Sequence, residues 1–112
     1  MRLMARRIIK YSNRRLYDTA QGRSITLLEL SDLVAAGETV SVELKGTGED
    51  ITAVTLLQSI LEHLRHRPNG LLESGVADRF VSSVRRAIDE RRGSEELDAG
   101  LAGGDAAVGL PD

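Results

Sequence analysis

The segment Lys10-Tyr-Ser-Asn-Arg-Arg-Leu-Tyr17 holds, in eight residues, the side-chain types that bind nucleic acid. Arg14 and Arg15 can each neutralise a backbone phosphate or pair bidentately with guanine, Asn13 is of the type that reads adenine, and the hydroxyls of Tyr11 and Tyr17 can bond to phosphate. Arg6, Arg7, Lys10 and Arg23 surround them with positive potential. The same residues admit a structural reading. Adjacent arginines can pair with Asp18 in a solvated loop, while Tyr11, Leu16 and Tyr17 serve the core. Spacing alone leaves both open.

Other reactive side chains form no set. His63 and His66 have the i, i+3 spacing of metal ligands, but no third ligand is near and Pro68 ends the helix, so a solvated surface is the expectation. Glu49-Asp50 lies where a helix dipole favours negative charge, and it reads as support for that helix, not as an acid/base pair. Ser12 and Ser31 lack a His–acid partner set, and Gly46-Thr-Gly48 is followed by acids that repel phosphate, which makes it a turn. With no Cys, a thiol nucleophile and a Cys-rich zinc site are excluded. The expectation is a protein without catalysis, metal or cofactor.

The chain of 112 residues suffices for one domain, and its 41% apolar content for one modest core. Its apolar runs are far shorter than the roughly 20 residues that span a bilayer, and none follows the basic start as a signal peptide requires. A soluble cytoplasmic protein with no membrane partner is expected. The net charge of −2 conceals an asymmetry. Residues 1–23 carry seven basic side chains against Asp18, residues 24–64 carry Lys45 against seven acids, residues 65–92 carry seven arginines against four acids, and 93–112 carry five acids alone. The basic head is where a polyanion would bind.

Positioning these residues requires a small α+β domain. Residues 7–11 alternate as a strand, with Ile9 and Tyr11 on one face and Ile8 and Lys10 on the other; residues 23–26 read as a second. Thr26-Leu-Leu-Glu29 is a capping box with Ile25 and Leu30 as its staple, opening a helix that Gly37 stops. Residues 39–44 alternate as a strand with Val40, Val42 and Leu44 inward. A second helix is predicted over 52–64, capped by Thr52 and burying a wide set of Val54, Leu56, Leu57, Ile60, Leu61 and Leu64. A third, about 75–91, carries an apolar stripe that includes Phe80, Val84 and Ile88, with Gly93 following. The order is β-β-α-β-α, then an amphipathic helix. The Gly-rich acidic stretch 93–112 has no period and is expected to be disordered.

Three ordered blocks carry a family resemblance: Lys10-Tyr11-x-Asn13-Arg14-Arg15-Leu16-Tyr17-Asp18-Thr19, then Ile25-Thr26-Leu27, then Gly48-Glu49-Asp50-Ile51-Thr52 with the following Leu-Leu-Gln-x-Ile-Leu-Glu62. From about 8 to 62 the chain resembles the DNA-binding domain of the bacterial polyhydroxyalkanoate (polyhydroxybutyrate) accumulation regulators. The resemblance divides the chain into that domain at 1–67, the C-terminal helix at 68–92 and the tail at 93–112. It implies binding to double-stranded DNA through Lys10, Tyr11, Asn13, Arg14, Arg15, Tyr17 and Arg23. It also implies repression of polyhydroxyalkanoate synthesis or granule-associated protein genes, with release by polymer. The chain departs from the family pattern at Ser24, where an aromatic is usual, and in the longer turn Lys45-Gly46-Thr47-Gly48.

A second reading keeps the fold and gives it another task, as a granule-associated or scaffold protein that binds polymer or protein without DNA. The wide apolar face of the second helix and the stripe of the third can pack on each other or join copies of the chain. Leu57, Leu61, Phe80, Val84 and Ile88 are the expected homo-oligomer contacts, with the third helix leading; a polyester granule surface is the other candidate for these faces.

Overall fold

A computed structural model describes residues 5–101, with side-chain surroundings for 5–92. Four strands, β1 (Arg6–Lys10), β2 (Leu16–Asp18), β3 (Arg23–Ile25) and β4 (Val40–Leu44), form one sheet in the order β3-β2-β1-β4. β1 pairs antiparallel with β2 (Ile9 opposite Tyr17) and parallel with β4 (Ile8 opposite Val42). The α+β class holds, with one strand more than expected. β2 is a three-residue strand, too short to show an alternation of its own.

The helices are α1 (Leu27–Ala35), α2 (Thr52–His66) and α3 (Val76–Leu101), with a 3-10 turn at Gly70–Leu72. α1 begins as expected: Thr26 Oγ1 accepts from Glu29 N–H at 3.0 Å, and the Glu29 carboxylate accepts from Thr26 N–H at 2.9 Å. That second bond holds the Glu29 carboxyl below the usual carboxylate range. The helix closes as a Schellman motif on Gly37 at φ 98°, with Gly37 N–H donating to Val34 O and Glu38 N–H to Leu33 O. The α3 backbone stays helical through Gly93 to Leu101, past the expected stop; the rest of the expected disordered tail, 102–112, lies outside the described residues. Among the described residues no helix is long and apolar enough to cross a membrane.

Ile8, Leu16, Ile25, Val40 and Val42 from the sheet meet Leu30 and Val34 of α1, Leu56 of α2, and Val76, Phe80 and Ala87 of α3 in one core. α2 corrects the sequence reading. Of its wide apolar set only Leu56 is buried; the face turned inward also carries Thr52, Thr55, Ser59 and His63, while Val54, Leu57, Leu61 and Leu64 are exposed. The small polar residues let α2 lie close: Ser59 Oγ donates to Leu56 O at 2.8 Å and Thr52 Oγ1 accepts from Val42 N–H at 2.8 Å. Thr52 is therefore not the cap. Asp50 Oδ1 takes the Thr52 N–H at 2.9 Å and its O–H at 2.6 Å, so the acid serves the helix start.

His63 is likewise core and not solvated surface. Its Nδ1 lies 3.1 Å from Ser31 Oγ, Phe80 meets its ring edge-on at 5.0 Å, and Asp32 Oδ1 is 3.9 Å away. Phe80, 3% exposed, fills the junction of the three helices within one chain. It is thereby removed from the expected contacts between chains. Around this junction Arg67 forks onto Asp32 at 2.9 and 3.1 Å, Arg79 donates to Ala35 O at 2.8 Å, and Arg91 donates to Asp50 O. Arg67 thus ties the end of α2 to α1, and Arg79 and Arg91 tie α3 to the rest of the domain.

Candidate nucleic-acid interface

Strands β1 and β2 are joined by a tight hairpin tip. Arg14 N–H donates to Tyr11 O at 2.9 Å, Tyr11 N–H donates to Arg15 O at 2.9 Å, and Arg14 stands at φ 69°. A turn followed by one left-handed residue is a common hairpin closure, and glycine normally fills that position. Holding an arginine there strains the backbone, a condition concentrated at functional sites. Asn13 builds the loop, since its Oδ1 accepts from Arg15 N–H at 3.0 Å, while its amide NH2 stays exposed.

The sheet sorts the basic residues into two groups. Arg6 lies 3.4 Å from the fully buried Asp18 and 3.6 Å from Glu38. Arg7 forks onto Glu43 at 2.8 and 3.3 Å, which raises the arginine's pKa and lowers the glutamate's. Arg23 is spent on Gln21, Ser24 O and Glu29 at the far end of β3. By contrast Lys10, Arg14, Arg15 and Lys45 gather at the other end of the sheet and have no carboxylate partner among the described residues. The expected Asp18 pairing of Arg14 or Arg15 is replaced by Arg6–Asp18. Asp18 instead shapes the next turn by accepting from Ala20 N–H at 2.9 Å.

Lys45 escaped the sequence reading. It follows β4, and parallel pairing carries it to the end of β1, where its N–H donates to Lys10 O at 2.8 Å. Its ammonium stands 5.6 Å from the centre of the Tyr11 ring. Tyr11 meets Tyr17 edge-on at 6.4 Å on the sheet face away from Ile8. The Tyr17 hydroxyl points towards Gly22, away from the tip, and a methyl there would lie 3.8 Å from it. On the helix side, Lys10 and Arg14 share a groove of about 520 Å³ with Leu61, Glu62 and Arg65 of α2. Of the expected contacts, the structure unites Lys10, Tyr11, Asn13, Arg14 and Arg15; it sets the Tyr17 hydroxyl and Arg23 apart.

What this tip can do is electrostatic. The exposed Arg14, Arg15 and Lys45 and the half-buried Lys10, in no ion pair among the described residues, fit a row of phosphates, and the fork of Arg14 or Arg15 also fits guanine. No solved structure matches this chain. An uncharacterized protein of Allochromatium vinosum is 49% identical over 55 residues, which are 49% of this chain and 36% of the relative, so the chain spans about a third of that relative's length. The profile of the PHB/PHA accumulation regulator DNA-binding domain matches residues 7–66, which include both sheet ends, the hairpin tip, α1 and α2. The chain belongs to the PHB/PHA accumulation regulator DNA-binding domain family.

Proposed function

We propose that the protein is a cytoplasmic transcriptional repressor, without enzymatic activity, that grips operator DNA through the β1–β2 hairpin tip and leaves it when polyhydroxyalkanoate polymer accumulates. The observation that carries the reading is the gathering of Lys10, Arg14, Arg15 and Lys45 at one tip while Arg6, Arg7 and Arg23 are consumed by ion pairs. Arg14 supplies the reaching fork, Asn13 fixes the loop that presents it, and Tyr11 braces Lys45. Self-association belongs to this reading, because a repressor of this size gains its affinity by presenting two tips to one duplex.

The test is an electrophoretic mobility shift with the duplex upstream of the host's granule-associated protein gene, followed by addition of amorphous polymer granules. A shift resisted by random DNA and reversed by granules is expected; no shift at low salt from a folded protein refutes DNA binding. The second reading, a granule-associated protein that does not bind DNA, is favoured by one observation. The exposed row Val54, Leu57, Leu61 and Leu64 is an apolar surface that DNA does not need. Granule pull-down without a shift is its signature.

A further inference from the structure

We infer that the exposed face of α2 is a two-fold interface with a second copy of this chain, the two α2 helices running antiparallel. The inference deepens the self-association in the reading above by naming its surface and its direction. Val54, Leu57, Leu61 and Leu64 are 51%, 50%, 60% and 37% exposed, on a helix whose opposite face is already committed to the core. Their spacing is three, four, three, the a/d seam of a helix pair that interlocks side chains. Such a seam needs an apolar helix of the same pitch opposite it, and a second α2 is self-complementary. The apolar surface is also continuous with the groove of about 440 Å³ between α2 and α3, where Leu57 stands beside Val81, Val84 and Ile88.

The helix dipoles select the direction. The side-chain charges at the ends of α2 are already paired within the chain, Glu49 with Arg91, Arg65 and His66 with Glu62, and Arg67 with Asp32, while Asp50 accepts from Thr52. A parallel pair sets like ends of the two dipoles together; an antiparallel pair opposes unlike ends. In that arrangement Leu57 faces the partner's Leu61 and Val54 the partner's Leu64. Leu61 also lines the groove that holds Lys10 and Arg14, so the seam places two hairpin tips symmetrically about one axis. Half-sites of opposite orientation in the DNA follow from that symmetry.

The experiment uses the full chain in two steps. Sedimentation equilibrium should give a dimer for the native protein. Leu57→Asp with Leu61→Asp should halve the apparent mass to the 12.2 kDa of one chain, with an unchanged far-UV spectrum because both side chains are exposed. The protein has no cysteine, so thiols introduced singly report neighbours cleanly. Val54→Cys mixed with Leu64→Cys should form a mixed disulfide dimer on mild oxidation, while neither variant alone forms one. A native monomer at micromolar concentration, or a dimer that survives the double substitution, overturns the interface; in either case a different occupant holds or ignores this face. Val54→Cys coupling to itself overturns the antiparallel direction. Arg14→Ala should remain dimeric, so that a loss of DNA binding and a loss of this interface are told apart.

Discussion

If the hairpin tip binds phosphates, the salt dependence of binding should follow the sorting of the cations. Each phosphate neutralised on duplex DNA contributes about 0.9 to the slope of log K against log salt, so Lys10, Arg14, Arg15 and Lys45 together supply about 3.6 per protomer. Between about 50 and 200 mM salt that slope is roughly a 150-fold loss of affinity per protomer, and with Arg14 and Arg15 both replaced by Ala it falls to roughly 12-fold. Arg7→Ala and Arg23→Ala, which remove cations already held by Glu43 and Glu29, should leave the slope unchanged. Fluorescence anisotropy of a labelled duplex, titrated at four or more salt concentrations, measures all of these, with far-UV circular dichroism confirming the fold. The reasoning fails if the folded Arg14→Ala/Arg15→Ala protein keeps the native slope. It fails equally if Arg7→Ala and Arg23→Ala flatten the slope as much as the tip substitutions do.

Arg14→Gly relieves the left-handed backbone at φ 69°, and should hold or raise stability by up to about 1 kcal/mol while weakening DNA binding, as thermal melts paired with anisotropy will show. Gly70→Ala would drive a methyl into His63 Nε2, a clash expected to cost about 1–3 kcal/mol; the double variant with His63→Ala should lose less than the sum of the two single losses in denaturant titrations. Glu29, whose carboxyl is held below its ordinary value by the Thr26 N–H, stabilises α1 fully above the unfolded carboxylate pKa and loses that contribution as pH falls through its folded value. Glu29→Gln should therefore narrow its stability gap to the native protein as pH drops below about 4.5, measured by thermal melts across pH.

Where local chemistry decides the structure, the sequence was explicit. The Thr26–Glu29 box, the Gly37 stop and the alternation of Val40 and Val42 each announce an element and appear in place. The faces of α2 are not legible from hydrophobicity, because on this helix hydrophobicity does not measure burial. Thr55, Ser59 and His63 go inward, where α2 lies close against α1 and meets Phe80, and the larger apolar residues are left outside. Of the candidate interface, Arg14 and Arg15 were legible from composition. Which cations are free was not, because Arg7–Glu43 and Arg23–Glu29 pairing and the approach of Lys45 to Tyr11 depend on strand register and on chain segments far apart in sequence.

β1 sits at the centre of the sheet although it opens the domain, and its parallel partner β4 comes roughly thirty residues later. The earliest strand to leave the ribosome must therefore wait for β4 before both its edges are paired, a long-range closure of the kind that slows folding. Lys45 reaches the hairpin tip only with that closure, so a chain interrupted before β4 has neither a finished sheet nor a finished cation cluster. In hydrogen exchange the same arrangement should make the β1 amides around Ile8 among the last to exchange, since β1 is paired on both edges.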